Sequence, residues 1–103
     1  MFDIDWIKKC VETEAYFVSG HADKERQNEN LILAEIEEAL LTGRILEQYP
    51  DTGRGESCLV AGFNDRGKPV HVVCGRRGAK LVMITVYIPG PPKFKTPYER
   101  GER

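Results

Sequence analysis

After Gly43 the apolar spacing of this chain changes from helical to alternating, and that change constrains the fold more than any other feature. Upstream, "LILAEIEEALLTG" sets Ile32, Ile36 and Ala39, with Leu33, Ile36 and Leu40, on one stripe and leaves Glu35, Glu37 and Glu38 largely outside it. This is the pattern of an amphipathic helix. Asn28 or Asn30 is expected to cap its start, and Gly43 is the natural residue just past its end. An earlier helix is predicted over residues 4–15, where Ile4, Ile7, Cys10 and Val11 share a face and Asp3 or Asp5 caps the start. Between the two, residues 16–19 form a short β-like run that gives way to a polar segment.

Downstream the period is two. Strands are predicted near 45–49, 57–63, 69–75 and 80–88, with "PDTGRGE" a loop and "NDRGK" and "GRRGA" hairpin turns. Such short connections favour an antiparallel meander. Helices first and strands afterwards predict an α+β fold, with two N-terminal helices packed on one face of an antiparallel sheet of about four strands. The 103 residues suffice for one such domain, 1–103, and residues 89–103 form a Pro-rich basic tail that either drapes over the sheet or stays mobile.

Charge and cysteine usage narrow the function classes. Residues 1–40 hold ten acids against four bases, and residues 41–103 six acids against eleven bases. A polyanionic or acidic partner is therefore expected at the C-terminal part, unless two oppositely charged layers merely face solvent. The longest apolar stretch, "LVMITVYI", is too short to span a bilayer, and no basic n-region precedes an apolar run at the start. A cytoplasmic location away from membranes is expected. Cys10, Cys58 and Cys74 are widely spaced and read as small buried hydrophobes. His71 and Cys74, three apart on a strand, face opposite ways, so no metal site and no cofactor are expected.

The most informative stretch is "KPVHVVCGRRG", which sets His71 inside an apolar strand and follows it with Arg76 and Arg77. Matching the aliphatic faces of the last two strands pairs Val72 with Ile84, Val70 with Val86 and Cys74 with Val82, through a three-residue turn at Arg77, Gly78 and Ala79. His71 then looks away from the helices, across from Thr85 and beside Tyr87, with Arg76 and Arg77 at the rim. An imidazole, a hydroxyl, a phenol and cations can move protons and hold a phosphate. The plain alternative is a strand histidine hydrogen-bonded to a neighbour. His21, in the polar segment, reads most simply as a surface histidine.

"HADKERQ", "EIEEALLTGRILEQYPDTGRGESCLVAGF", "GKPVHVVCG" and "LVMITVYIPGP", in this order, resemble the bacterial family called domain of unknown function 4258, over about residues 14–103. The resemblance implies a barnase/RelE-like fold and a toxin-type, metal-independent endoribonuclease related to the MqsR-like group. It also implies a small zinc-containing, MqsA-like antitoxin as partner. Carried over by position, it points to His21, Glu25, Arg26, His71, Thr85 and Tyr87 as catalytic; Arg76 and Arg77, at the rim in the strand reading, are expected to bind substrate. The expected chemistry is attack of a ribose 2′-OH on the adjacent phosphorus, with His71 as acid or base, His21 or Glu25 as its counterpart, and Arg26 or Arg76 as the phosphate clamp. Tyr87 would donate a hydrogen bond or stack on a base. A non-catalytic RNA- or protein-binding module of the same fold is the second expectation. A third is an adaptor that docks a basic protein through its acidic first helix.

Overall fold

The computed structural model describes residues 1–51, 53, 55–91 and 94–101. In chain order they form α1 (Ile4–Glu12), β1 (Tyr16–Val18), α2 (Gly20–Asn28), α3 (Leu33–Thr42), β2 (Arg44–Tyr49), β3 (Ser57–Phe63), β4 (Pro69–Arg77) and β5 (Lys80–Tyr87). A hairpin of β6 (Phe94–Thr96) and β7 (Glu99–Arg100) follows. The main sheet has the order β1-β5-β4-β3-β2; β2 to β5 form the antiparallel meander, and β1 joins its far edge parallel to β5. The α+β class holds. Three helices and a mixed five-stranded sheet replace the expected two helices and four antiparallel strands.

The third helix, α2, has no apolar stripe and buries only Ala22. Local pairing and two hydrogen bonds to the β5 edge hold it instead. Ser19 caps it by accepting the Ala22 N–H at 3.0 Å, and Asp23 accepts from Arg26 and Gln27 at 2.8 and 3.0 Å. β1 pairs only with residues 81–83 of β5, so α2 meets the edge that β1 leaves bare. There the Ser19 hydroxyl donates to the Ile84 carbonyl and the Glu25 carboxylate accepts the Val86 N–H at 3.0 Å. α1 starts where expected, with the Asp3 carboxylate accepting the Asp5 N–H, and stops three residues early, before Glu14 turns to φ 57°. Neither asparagine caps α3. Ile32 stands at the cap position and the Glu35 carboxylate reaches back to its N–H at 3.0 Å, while Asn30, at φ 58°, makes the bend between α2 and α3.

α3 lies against the sheet at van der Waals contact because Gly62 on β3 and Gly43, between α3 and β2, lack a side chain. A Cβ on Gly62 would stand 1.8 Å from the Ala39 carbonyl oxygen, and one on Gly43 2.5 Å from it. Gly43 is extended (φ −82°), so close approach, not a left-handed helix end, requires it. The core between the layers joins Ile7, Cys10, Ile36 and Leu40 to Val60, Val70, Val72, Leu81, Met83 and Val86. Full burial of one such aliphatic side chain contributes about 2 kcal/mol. Cys10, Cys58 and Cys74 are buried free thiols, the last two facing each other across β3 and β4.

The β4–β5 register differs from the one expected by face matching. Val72 pairs with Val86, Val73 with Thr85 and His71 with Tyr87; the ladder then slips, and Cys74 pairs with Met83, Gly75 with Val82 and Arg77 with Lys80. Ile84 is the extra residue of this bulge. It turns Leu81 and Met83, with Val86, toward the helices, in place of Val82 and Ile84. Both alternate sets are apolar, so hydrophobicity could not choose between them. The turn shortens to Gly78 and Ala79, with Gly78 at φ 60° as a two-residue hairpin requires. Among the described residues no helix is long and apolar enough to cross a membrane.

Candidate functional site

Val70, Val72 and Cys74 enter the helix-side core, so His71 between them faces the other way, as the alternation predicted. On that face the register lines up Arg44, Ala61, His71 and Tyr87 across β2 to β5, and next to them Glu47, Leu59, Val73 and Thr85. Thr85 is therefore diagonal to His71, and Tyr87 directly across from it.

This end of the face is covered. The tail folds back as the β6–β7 hairpin, and His71 has no exposed surface. Phe94 meets the His71 ring edge-on at a centroid distance of 4.5 Å, and Tyr87 flanks it at 5.2 Å. His71 Nε2 lies 2.6 Å from the Pro97 carbonyl oxygen and Nδ1 lies 3.2 Å from the Tyr87 hydroxyl. A carbonyl only accepts, so Nε2 carries a hydrogen; in the neutral ring Nδ1 accepts from Tyr87.

Beside this pair sits a carboxylate–guanidinium clasp. Arg100 donates to Glu47 through Nε at 2.7 Å and Nη2 at 2.6 Å, and the Tyr49 hydroxyl donates to the same carboxylate. The Arg100 hydrogen bonds hold the Glu47 carboxyl down to about 2, against burial and with help from Tyr49. Burial first, and Glu47 second, push the Tyr49 phenol up to about 12. Burial likewise raises Tyr87, with Arg100 opposing and the charges of Glu47 and Glu25 adding to it. The Arg44 guanidinium stacks 3.8 Å from the centre of the Tyr98 ring, which meets Phe63 edge-on at 5.9 Å. These contacts fasten the tail at three points.

The remaining expected residues scatter. His21 is exposed on α2, its Nε2 3.2 Å from Glu25. Glu25 is tied to Val86, one residue from Tyr87, and its charge is felt there. Arg26 is turned to Asp23 and to the Leu31 carbonyl, so it cannot clamp a phosphate at His71. Arg76 is not at the rim of the histidine face: its row partner Leu81 is in the core, and its guanidinium lies over Trp6 at 4.4 Å and Phe2 at 5.2 Å. Arg77 does share the face of His71, but at the far end of β4, about 20 Å along the strand. Glu47, Tyr49 and Arg100 escaped the sequence reading altogether. The spacing of Glu47 and Tyr49 puts both on one face of a strand; the irregularity between Ile45 and Glu47 hides which face. Among the described residues no three His, Cys, Asp or Glu side chains are placed to share a metal ion.

The model of one protein family, described as Domain of unknown function (DUF4258), matches residues 18–88. The chain belongs to this family. No curated protein and no solved structure matches it. The DUF4258 region contains His21, Glu25, Glu47, Tyr49, His71, Thr85 and Tyr87. Helix α1 lies outside it, and so does the tail that brings Phe94, Pro97 and Arg100 onto the DUF4258 sheet.

Proposed function

We propose that this DUF4258 protein is a metal-independent endoribonuclease of toxin type on a barnase/RelE-like scaffold, with its reactive groups at the tail-covered end of the sheet. The observation that carries the reading is the meeting of a carboxylate, an imidazole and a phenol in two adjacent rows of the sheet: Glu47, His71 and Tyr87. In the reaction Glu47 takes the proton of a ribose 2′-OH as its oxygen attacks phosphorus. The P–O5′ bond breaks, and His71 in its protonated, imidazolium form gives its Nε2 proton to the departing 5′ oxygen, leaving a 2′,3′-cyclic phosphate and a 5′-OH. Tyr87 holds the ring through Nδ1.

The tail occupies these same positions. The Pro97 carbonyl sits where a leaving oxygen would receive its proton, and Arg100 keeps Glu47 too weak a base. Activity then requires the hairpin to lift, which frees Glu47 and His71 and takes Arg100 away with it. A small zinc-containing antitoxin-like partner would cover the same face, and the reading sets the protein to work in the cytoplasm, where RNA is. The test is incubation of the full chain with single-stranded RNA in EDTA across pH 5–8, with analysis of the product ends. Phe94→Ala, which loosens the hairpin and leaves every reactive group in place, is expected to cleave faster than the wild type, and His71→Ala not at all. Absence of cleavage by both the wild type and Phe94→Ala would sink the proposal.

One observation favours a second reading, a non-catalytic binding module: His71 is fully buried with both ring nitrogens engaged by the chain itself. On that reading His71→Ala loosens the tail and changes no chemistry.

A further inference from the structure

The opposite end of the same sheet face is exposed. At the β4–β5 tip, Arg77 and Lys80 are register partners, both exposed, and they flank the ring of Phe17 on β1: the guanidinium carbon is 5.5 Å and the ammonium nitrogen 5.0 Å from its centre. Phe17 is 39% exposed and Ile84, beside it on this face, 36%; large apolar groups left in water next to cations are the unusual feature here. From them a groove of about 460 Å³ runs between Ser57, Gly75, Val82 and Ile84. Its floor is open at Gly75, where a Cβ would come within 2.8 Å of the Ile84 side chain. The acid on its wall, Glu56, is taken by the N-terminal amino group at 2.9 Å. Among the described residues no carboxylate pairs with Arg77 or Lys80.

We infer that this tip is the anchoring subsite for single-stranded RNA, with phosphates on Arg77 and Lys80 and a base stacked on Phe17 or lying in the groove. The chemistry selects that occupant. Two cations with no acidic partner among the described residues call for a polyanion, and an exposed ring at their centre calls for one that carries flat apolar faces along its length. An acidic peptide satisfies the first requirement and leaves Phe17, Ile84 and the groove unused. Arg77 and His71 lie on one face about 20 Å apart, so a strand held at the tip runs toward the reaction centre. The inference rests on the ribonuclease reading for its substrate, and its site shares no residue with that reading's reactive groups.

The experiment is fluorescence anisotropy of a labelled twelve-residue oligouridylate with the full chain in EDTA, at several salt concentrations. Arg77→Ala/Lys80→Ala is expected to weaken binding at least tenfold at low salt and to flatten the log–log salt slope by about 1.4, the value for two lost phosphate contacts on a single strand. Phe17→Ala is expected to weaken binding about tenfold at unchanged slope. Wild-type affinity in both variants overturns the inference, and so does tighter binding of an equally charged oligoglutamate. Loss of binding at the tip with no cleavage by any variant retains the subsite and removes the ribonuclease reading. Where cleavage is seen, the tip variants raise KM, whereas His71→Ala abolishes turnover and still binds the oligonucleotide.

Discussion

The two ends of one sheet face are built from similar materials and left in opposite states. At the His71 end an imidazole, two phenols, a carboxylate and a guanidinium are all engaged, by Phe94, Pro97 and one another. At the Arg77 end two cations lean on one exposed ring, and among the described residues no carboxylate pairs with them. Polar groups satisfied by their own chain contribute to stability, and cations left to solvent contribute little to it and are available to a ligand. The covering piece lies outside the family span, and the covered groups, Arg100 excepted, lie within it. The contrast thus separates what the DUF4258 sheet carries from what this chain lays over it.

The largest expected effect tests whether the covered groups are reactive or merely packed. If His71 is the acid, His71→Ala lowers cleavage by a factor on the order of 10² to 10⁴, and Phe94→Ala raises it. Equal cleavage by all three proteins would erase the contrast in function. The next effect concerns the cover. Phe94 is 1% exposed, and truncating a buried phenylalanine costs about 3 kcal/mol or more in a core that cannot rearrange. Here the hairpin can detach before the sheet unfolds, which sets an upper limit on the loss. Phe94→Ala is therefore expected to quicken trypsin cleavage at Lys95 and Arg100 while the Tm falls by less than that figure implies. A large cooperative fall in Tm with no early cleavage would make the tail part of the core.

How far this was legible in the sequence follows from where alternation survives. The face of His71 needed only Val70, Val72 and Cys74, its neighbours on one unbroken strand, and came out right. By the same count Arg77 shares that face and Arg76 does not; the information was present, and the pairing of both arginines with His71 overlooked it. Thr85 and Tyr87 likewise came out on the face of His71, but the bulge at Ile84 reverses the parity of Leu81, Val82 and Met83, and the irregularity in β2 does the same before Glu47. Helix α2 left no trace because a helix polar on every side has no period to read. The closure of the face depended on Phe94, Pro97 and Arg100, in a segment whose prolines break any repeat. Long-range pairing, not local propensity, decides where such a tail lands.

A smaller effect sharpens the contrast through pH. Glu47 is held near 2 in the folded chain, against an ordinary value of 4.5. A lowered folded value means that the clasp stabilises fully above the unfolded value and is lost as pH falls from about 4.5 to 2. Both partners are partly solvated, which limits the contribution to about 1 kcal/mol. Glu47→Gln should melt below the wild type at pH 7, with the gap closing toward pH 2. A gap that persists at pH 2 would assign the loss to packing.

The smallest effect is a near-zero one, and it bears hardest on the exposed end. Arg77 and Lys80 are exposed, make no ion pair among the described residues and lie over an exposed ring, so their removal forfeits little folded-state energy. Arg77→Ala/Lys80→Ala is expected to change stability by less than about 0.5 kcal/mol, a shift in Tm of under about 4 °C. The measurement is thermal unfolding with and without the twelve-residue oligouridylate. A ligand that binds only the folded chain raises the wild-type Tm with its concentration, and the double variant should lose that rise and keep its own Tm. A fall of several degrees in the free variant would mean that the cations hold Phe17 and β1 in place, and the two ends would then differ in exposure alone.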